Sequence, residues 1–406
     1  MKRISTLCLF LTTCLLIGCS SDKLSNNGIP CIDTRENYPE KEMMLTEIAD
    51  VSYVHLSKEN DDYLYRGRIN CVTENTIVVF DNSSSSMLFF SKDGTPKSRF
   101  NRFGQGQQDY SRMVSKILYD EPADEVFVSA LTGNKIQVYS STGEYRRTLT
   151  LPQGVFMEEI ISFDQQSLLV YNFLRDRNKA FAASRVESDV IIHDTDSSFF
   201  LISKTDGEVM DYAELPGNDI SLSIGGGTGE NVFIMITRSK YLSKCSEGVL
   251  LSNAYTDTVY LYCKEKTLTP VFCKTPLVSN SGPRVILKGC IDEGKYQYVT
   301  IESTSRENTD APQKAETKHY MRDKKTGEIF RQRIVLPDYE GKEFYISIGY
   351  NDTHFLEKGV LMHFELDLFE LKQAFDDNKL SGKLKELVAT LNADEDNNVF
   401  MLVALK

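Results

Sequence analysis

One unit recurs along most of this chain, and it consists of two short apolar strands joined by a tight turn. In four copies the turn places glycine directly after aspartate or threonine. These copies are Asp93-Gly94, Thr142-Gly143, Asp206-Gly207 and Thr326-Gly327. Glycine supplies the positive φ that such hairpin turns require, and β-branched and aromatic residues fill the flanking strands. Another strand pair precedes each copy, and four strands repeated every 45 to 65 residues, roughly, are typical of the blades of a β-propeller.

Six such units account for the chain. Five of them begin near residues 63, 110, 156, 222 and 283. The sixth combines residues 51–56 with the C-terminal strand 399–405, since pairing these two segments would hide both exposed edges and close the ring. The sequence therefore predicts an all-β fold over residues 45–406, a six-bladed β-propeller closed by its N- and C-terminal strands. A short helical segment at 368–391, broken near 376–378 and at Gly382, precedes the last strand.

The N-terminus has the pattern of a secretion signal. Lys2 and Arg3 precede an apolar run at 4–17, and small Gly18 stands before Cys19. The pattern resembles the bacterial lipobox, which implies removal of residues 1–18 and acylation of Cys19 by chains such as palmitate. The alternative is an ordinary secretory signal with incidental cysteines. The polar residues 19–44 are then expected to be the lipidated N-terminus and a tether.

Charge and cysteine content limit the partners and cofactors. A formal net charge of −12 without a basic cluster predicts no binding to nucleic acid. Six cysteines follow Cys19, and none has zinc-site spacing, so we expect neither a metal nor another cofactor. They are Cys31, Cys71, Cys245, Cys263, Cys273 and Cys290. The best candidate for a disulfide is Cys263 with Cys273 across a hairpin, and six buried thiols are the alternative.

Three short motifs carry a resemblance to a known family. They are residues 103–110 (FGQGQQDY), 255–260 (YTDTVY) and 394–399 (DEDNNV). They resemble the six-bladed β-propeller lipoproteins abundant in Bacteroidetes, whose propeller is described as similar to that of TolB. The resemblance implies an outer-membrane lipoprotein of the cell envelope, on the periplasmic face or the cell surface, and it implies no catalytic residue.

The search for catalytic motifs finds none. No HExxH or GxSxG occurs, and the chain has no tryptophan with which to stack a sugar. Function is expected instead in three irregular insertions, at 175–196, 238–253 and 302–318. Arg175, Arg177 and Arg185 make the first of these basic, which suits either an anionic ligand or neutralisation of nearby carboxylates.

Two classes of function remain open. The preferred one is a monomeric binding or scaffold module, held to the membrane by its lipid, that takes a protein partner or a glycan ligand at the mouth of the propeller channel. The alternative is a lyase or hydrolase acting on a glycan or lactone inside that channel. An enzyme would require inward-facing histidines or carboxylates with strongly perturbed pKa values, or a metal on the axis.

Overall fold

A computed structural model gives the architecture of the chain. It describes residues 28–59, 61–111, 114–130, 134–152, 155, 157–172, 198–216, 224–226, 233–235, 241–253, 256–277, 284–305, 314–349 and 352–406. Ahead of the first blade, the N-terminal segment contributes β1 (Cys31–Asp33), β2 (Glu40–Met44), α1 (Leu45–Ile48) and β3 (Ala49–His55).

The first three blades are antiparallel sheets of four consecutive strands. Blade 1 consists of β4 (Gly67–Val72), β5 (Thr76–Asp81), β6 (Ser86–Ser91) and β7 (Pro96–Phe100). Blade 2 consists of β8 (Val114–Asp120), β9 (Glu125–Ala130), β10 (Lys135–Tyr139) and β11 (Tyr145–Thr150). Blade 3 consists of β12 (Met157–Ser162), β13 (Ser167–Asn172), β14 (Phe199–Ser203) and β15 (Val209–Ala213).

A separate strand pair, β16 (Ile224–Gly226) with β17 (Phe233–Met235), lies along the chain before blade 4. Blade 4 consists of β18 (Leu242–Cys245), β19 (Gly248–Leu251), β20 (Thr258–Cys263) and β21 (Leu268–Thr275). Blade 5 consists of β22 (Arg284–Glu293), β23 (Tyr296–Ser305), β24 (Lys314–Asp323) and β25 (Ile329–Val335), with β26 (Glu343–Phe344) beside β25.

Blade 6 closes the ring as predicted. It consists of β27 (Thr353–Leu356), β28 (Gly359–Leu366), β29 (Val399–Leu405) and the N-terminal β3. The last strand lies antiparallel to β3, with Val399 opposite His55 and Leu405 opposite Ala49. The helical segment between β28 and β29 is broken as expected, into α2 (Leu368–Asp376) and α3 (Gly382–Ala389). The prediction of a six-bladed β-propeller is therefore confirmed.

The hydrophobic core is divided among the junctions between blades. The described residues form six buried clusters, and each cluster joins two adjacent blades. Phe89 of blade 1 packs with Tyr119 of blade 2, for example, and Phe400 of blade 6 packs with Phe90 of blade 1. Six junctions for six blades mean that the ring has no open interface, so every blade buries apolar surface on both faces.

Two sequence-based expectations differ from the structure. The fourth blade begins at Leu242 rather than near residue 222, where the β16–β17 pair lies instead. Most of the insertion expected at 238–253 is the inner hairpin of blade 4, β18 and β19, so that expectation is wrong. The cause is the spacing, because the long connection before blade 4 contains a strand pair that resembles a blade start.

The segment expected to be a tether, residues 19–44, includes two strands of the propeller. β1 pairs in parallel with the outer strand β21 of blade 4, and β2 pairs in parallel with the outer strand β25 of blade 5. Both strands cover sheet edges that would otherwise present open backbone groups. They are too short and too polar to show strand periodicity in the sequence.

The connections between strands differ on the two sides of the ring. On one side, termed the turn side, the six turns between the first and second strands contain two to four residues each, at 73–75, 121–124, 163–166, 246–247, 294–295 and 357–358. Because strands alternate in direction, the segments that enter each first strand lie on the opposite side, termed the loop side. These connections are longer, and they are joined there by residues 367–398 with α2 and α3.

Candidate functional site

The first strands of the six blades line the centre of the ring. β4, β8, β12, β18, β22 and β27 approach one another there, and β18 also lies close to β27 and β28 of blade 6. Phe355 of β27 packs against the apolar cluster shared by blades 3 and 4. The channel is therefore narrow at the level of Phe355.

A β-bulge recurs in these first strands. The register between first and second strands shifts by one residue in four blades, next to Asn70, Ser115, Glu158 and Lys288. A bulge turns one extra residue out of the ladder, which redirects the side chains around it. In β8 and β12 the shift lies near the loop-side end of the strand, and the residues that follow it there are Lys116 and Glu159.

Four ionisable side chains from four blades form a charged group at the loop-side end of the channel. We call Arg68, Lys116, Glu159 and Asp352 the axial charge cluster. The charges that act on Lys116 are those of Glu159, Arg68 and Asp352, together with the thiol of Cys71. Lys116 and Glu159 are buried, Asp352 is half-buried and Arg68 is exposed. The cluster therefore extends from the buried interior to the solvent.

Burial dominates the electrostatics of this cluster. It lowers the pKa of the Lys116 ammonium, and the nearby carboxylate of Glu159 opposes that effect. Oε2 of Glu159 accepts hydrogen bonds from the backbone N–H groups of Tyr241 (3.0 Å) and Leu242 (3.3 Å), where the chain enters blade 4. Glu159 thus joins blade 3 to blade 4 and supplies a fixed negative charge on the axis.

A histidine pair lies between blade 6 and blade 1. His354 Nε2 and His363 Nδ1 are 2.8 Å apart, and the two rings are stacked with centroids 5.0 Å apart. The backbone N–H of Val72 donates to His354 Nδ1 over 3.3 Å. This contact places the proton of His354 on Nε2, which donates to His363. The described residues contain no group of three or more His, Cys, Asp or Glu side chains placed to share a metal ion.

The first family motif has a structural role in its described contacts. In residues 103–110, the Gly106 N–H donates to Asp109 Oδ2 over 2.8 Å. The backbone carbonyls of Gln107 and Gln108 accept hydrogen bonds from Gln137 and Tyr139 of blade 2. The motif therefore fixes the connection between blades 1 and 2.

The other two motifs also join elements of the fold. In residues 255–260, the carboxylate of Asp257 forms a buried ion pair with Lys274, at 2.5 Å. In residues 394–399, Asn397 Nδ2 donates to the Leu56 carbonyl over 2.8 Å and so ties the last strand to the N-terminal segment. The motifs that carry the resemblance thus connect neighbouring elements of the ring.

The other residues singled out in the sequence lie elsewhere. Cys19 and the basic residues Arg175, Arg177 and Arg185 lie outside the described residues. The predicted pairing of Cys263 with Cys273 is wrong, because Cys273 lies opposite Thr258 on the neighbouring strand and Cys263 lies opposite Gly248. The described part of the insertion expected at 302–318 belongs to the strands β23 and β24.

The axial charge cluster has no sequence motif, because its members come from four blades. A local signal existed nonetheless. Lys116 stands in the run MVSKIL and Glu159 stands next to the apolar residues Ile160 and Ile161, and a charge inside a central strand is unusual unless it is paired or functional.

Comparison with known proteins agrees with this architecture. A family model described as "6-bladed beta-propeller" matches residues 21–356. No curated protein matches the chain. A protein of Bacteroides fragilis classed as exported superposes with a TM-score of 0.57 at 16% identity, and the match covers 93% of this chain and 99% of that one.

A second structure gives a weaker match. A member of the duf4221 family from Bacteroides vulgatus superposes with a TM-score of 0.45 at 11% identity, over 88% of this chain and 97% of that one. No helix in the described part of the chain is long and apolar enough to span a membrane. With more than half of its length matched by the family model, the chain belongs to the 6-bladed beta-propeller family.

Proposed function

We propose that this chain is an exported, lipid-anchored binding module of the bacterial envelope, which holds a ligand or a protein partner at the loop-side mouth of its channel. The axial charge cluster is the observation that carries the proposal. Burying an ionised side chain costs several kcal/mol unless other charges and hydrogen bonds compensate for it. The six apolar junctions close the ring without the ammonium of Lys116, whose burial opposes its charged form.

The arrangement of the cluster suits recognition of a polar group. Arg68 and Asp352 are accessible from the loop side, and Lys116 and Glu159 lie behind them. Two positive and two negative groups from four blades present both kinds of charge at one place. A ligand or partner side chain with charged or hydrogen-bonding groups would find complementary partners there.

Capture from an envelope extract tests the binding role. The purified protein is immobilised, incubated with an envelope extract of the source bacterium and analysed by mass spectrometry for retained proteins and small molecules. Arg68→Glu is expected to lose a component that the wild type retains, whereas Arg146→Glu retains it. Arg146 is an exposed residue on β11 whose reversal changes the net charge equally. Equal retention by both variants would contradict the proposed site.

The lipid anchor is tested separately. The signal at residues 1–19 and the exported classification of the Bacteroides fragilis protein support export. Two or more acyl chains hold a protein stably to a membrane. Cys19→Ala is expected to lose labelled palmitate and to leave the membrane fraction, and an unchanged membrane fraction would contradict the anchor.

A further inference from the structure

Cys31 and Cys273 face each other at the edge of blade 4. The N-terminal strand β1 runs parallel to the outer strand β21, and Cys31 is the register partner of Cys273. Among the strand pairs described, this is the one place where a cysteine lies opposite a cysteine. Both side chains are buried, at 5% and 7% exposure.

The geometry of adjacent strands suits a disulfide. Paired strands lie about 4.8 Å apart, and register partners point their side chains to the same face of the sheet. Disulfides join Cα atoms separated by roughly 4.4 to 6.8 Å. A side-chain hydrogen bond joins the two thiols, so the sulfur atoms already lie on the same side and close together.

We propose that Cys31 and Cys273 form a disulfide bond in the exported protein, which fastens the N-terminal strand covalently to blade 4. In this reaction a thiolate from the pair attacks the disulfide of a protein thiol oxidant. The second cysteine thiolate then displaces the oxidant's thiol from the mixed disulfide. The two cysteines lose two protons and two electrons, and the oxidant's disulfide is reduced to two thiols.

The local environment favours this pair over the other cysteines. The hydrogen bond from Cys273 lowers the pKa of Cys31, which raises the fraction of reactive thiolate. Burial raises the pKa of Cys290 well above its ordinary value, and burial also raises the pKa of Cys245. Cys263 contacts Thr267 at its own hairpin rather than another cysteine.

The bond would give the N-terminal strand a mechanical role. β1 is three residues long and is held to blade 4 by its backbone hydrogen bonds and by Ile32, which is fully buried. Any force on a lipid at Cys19 reaches the propeller first through this strand. A covalent link there transfers the load to blade 4 before it reaches β3, which closes the ring.

The experiment oxidises the purified full chain with oxidised glutathione, blocks the remaining thiols under denaturing conditions and maps the peptides without reduction. We expect a peptide pair linked through Cys31 and Cys273, two hydrogens lighter than the reduced pair. The oxidised protein should melt about 5 °C higher than the reduced protein. Cys31→Ser should abolish that difference, and Cys290→Ser should preserve it.

A linkage of Cys273 to any other cysteine, or full alkylation of both residues after oxidation, would overturn the proposal. Cys273→Ser is a second test and should also abolish the difference in melting temperature. If this variant does not fold, Cys31→Ser alone decides, because Cys31 lies on a short edge strand. The proposal rests on the export in the proposed function, so thiols are also trapped in growing cells. If the bond forms in the purified protein but not in cells, the proposal is overturned because the protein does not meet an oxidising compartment. The position of the two cysteines is unaffected by that result.

Discussion

The two sides of this propeller are built on different principles. The turn side has short connections of two to five residues, and the glycines of its turns pack closely against the neighbouring blade. The loop side has connections of varied length, two helices and the axial charge cluster. The two sides therefore differ in the length of their connections and in the charged side chains that they present.

The turns between third and fourth strands, β6–β7 and β10–β11, show most directly how the turn side holds the blades together. Gly94 has a φ of +91°, and a Cβ there would lie 2.0 Å from the carbonyl oxygen of His55 on blade 6. Gly143 has a φ of +85°, and its Cβ would lie 2.6 Å from the Cβ of Phe100 on blade 1. Glycine is required at these turns for its conformation and for the close approach of the next blade.

The largest effect is expected for the buried ion pair of Asp257 with Lys274, which lies on the loop side. Its substitution tests whether residues of the loop side also stabilise the fold. Asp257→Asn leaves the buried ammonium of Lys274 without its charge partner, and loss of one member of a buried pair costs about 3 to 5 kcal/mol. Glu370→Gln removes one side of the exposed pair with Lys342 and should cost less than about 1 kcal/mol. Urea denaturation measures the free energy of unfolding of both variants. Equal losses would mean that the Asp257–Lys274 pair does not stabilise the fold.

A glycine pair sharpens the contrast between the sides. Gly94→Ala on the hairpin should lower the free energy of unfolding by about 2 to 4 kcal/mol, because the left-handed backbone and the contact with His55 both oppose a methyl group. Gly341→Ala, on a loop-side connection with a φ of +76° and no atom near its Cβ, should cost about 1 kcal/mol. Similar values in thermal melts would mean that the close approach contributes nothing.

Removing a charge from the axial charge cluster should not lower the free energy of unfolding, in contrast to the substitutions above. Lys116→Met removes a buried charge whose pKa is lowered by burial. Glu159 keeps its two backbone hydrogen bonds in the variant, so we expect stability to be unchanged or higher by about 1 kcal/mol. The folded state releases its proton below the unfolded value of 10.5, so wild-type stability rises with pH in that window and the variant lacks this rise. Denaturation at several alkaline pH values measures it, and a strong loss of stability at neutral pH would make Lys116 structural.

The smallest expected effect is a loss of stability at acidic pH that depends on His319. Burial lowers the pKa of His319 to about 4, and its ring stacks on Tyr345 with centroids 4.6 Å apart. Between pH 6.5 and 4 the unfolded chain therefore binds a proton that the folded chain does not, and stability falls as the pH drops. After allowance for solvent screening we expect about 1 kcal/mol. His319→Gln should flatten the pH dependence in this range, and an unchanged slope would contradict the assignment.

The sequence predicts the fold well because its signals are local. The Asp-Gly and Thr-Gly turns lie within single hairpins, and the pairing of residues 51–56 with 399–405 follows from the need to cover two edges. The axial charge cluster could not be predicted, since Arg68, Lys116, Glu159 and Asp352 are far apart in the chain and only the closed ring brings them together. The Cys31–Cys273 pair could not be predicted either. The two residues are far apart in the chain, and β1 shows no strand periodicity.

The central claim is that the loop side is the binding side. A photoreactive amino acid at position 68, illuminated in living cells, tests it most directly against the same amino acid at position 247 in an exposed turn-side loop. The account predicts a cross-linked adduct from position 68 and none from position 247. An adduct from position 247 alone would contradict it.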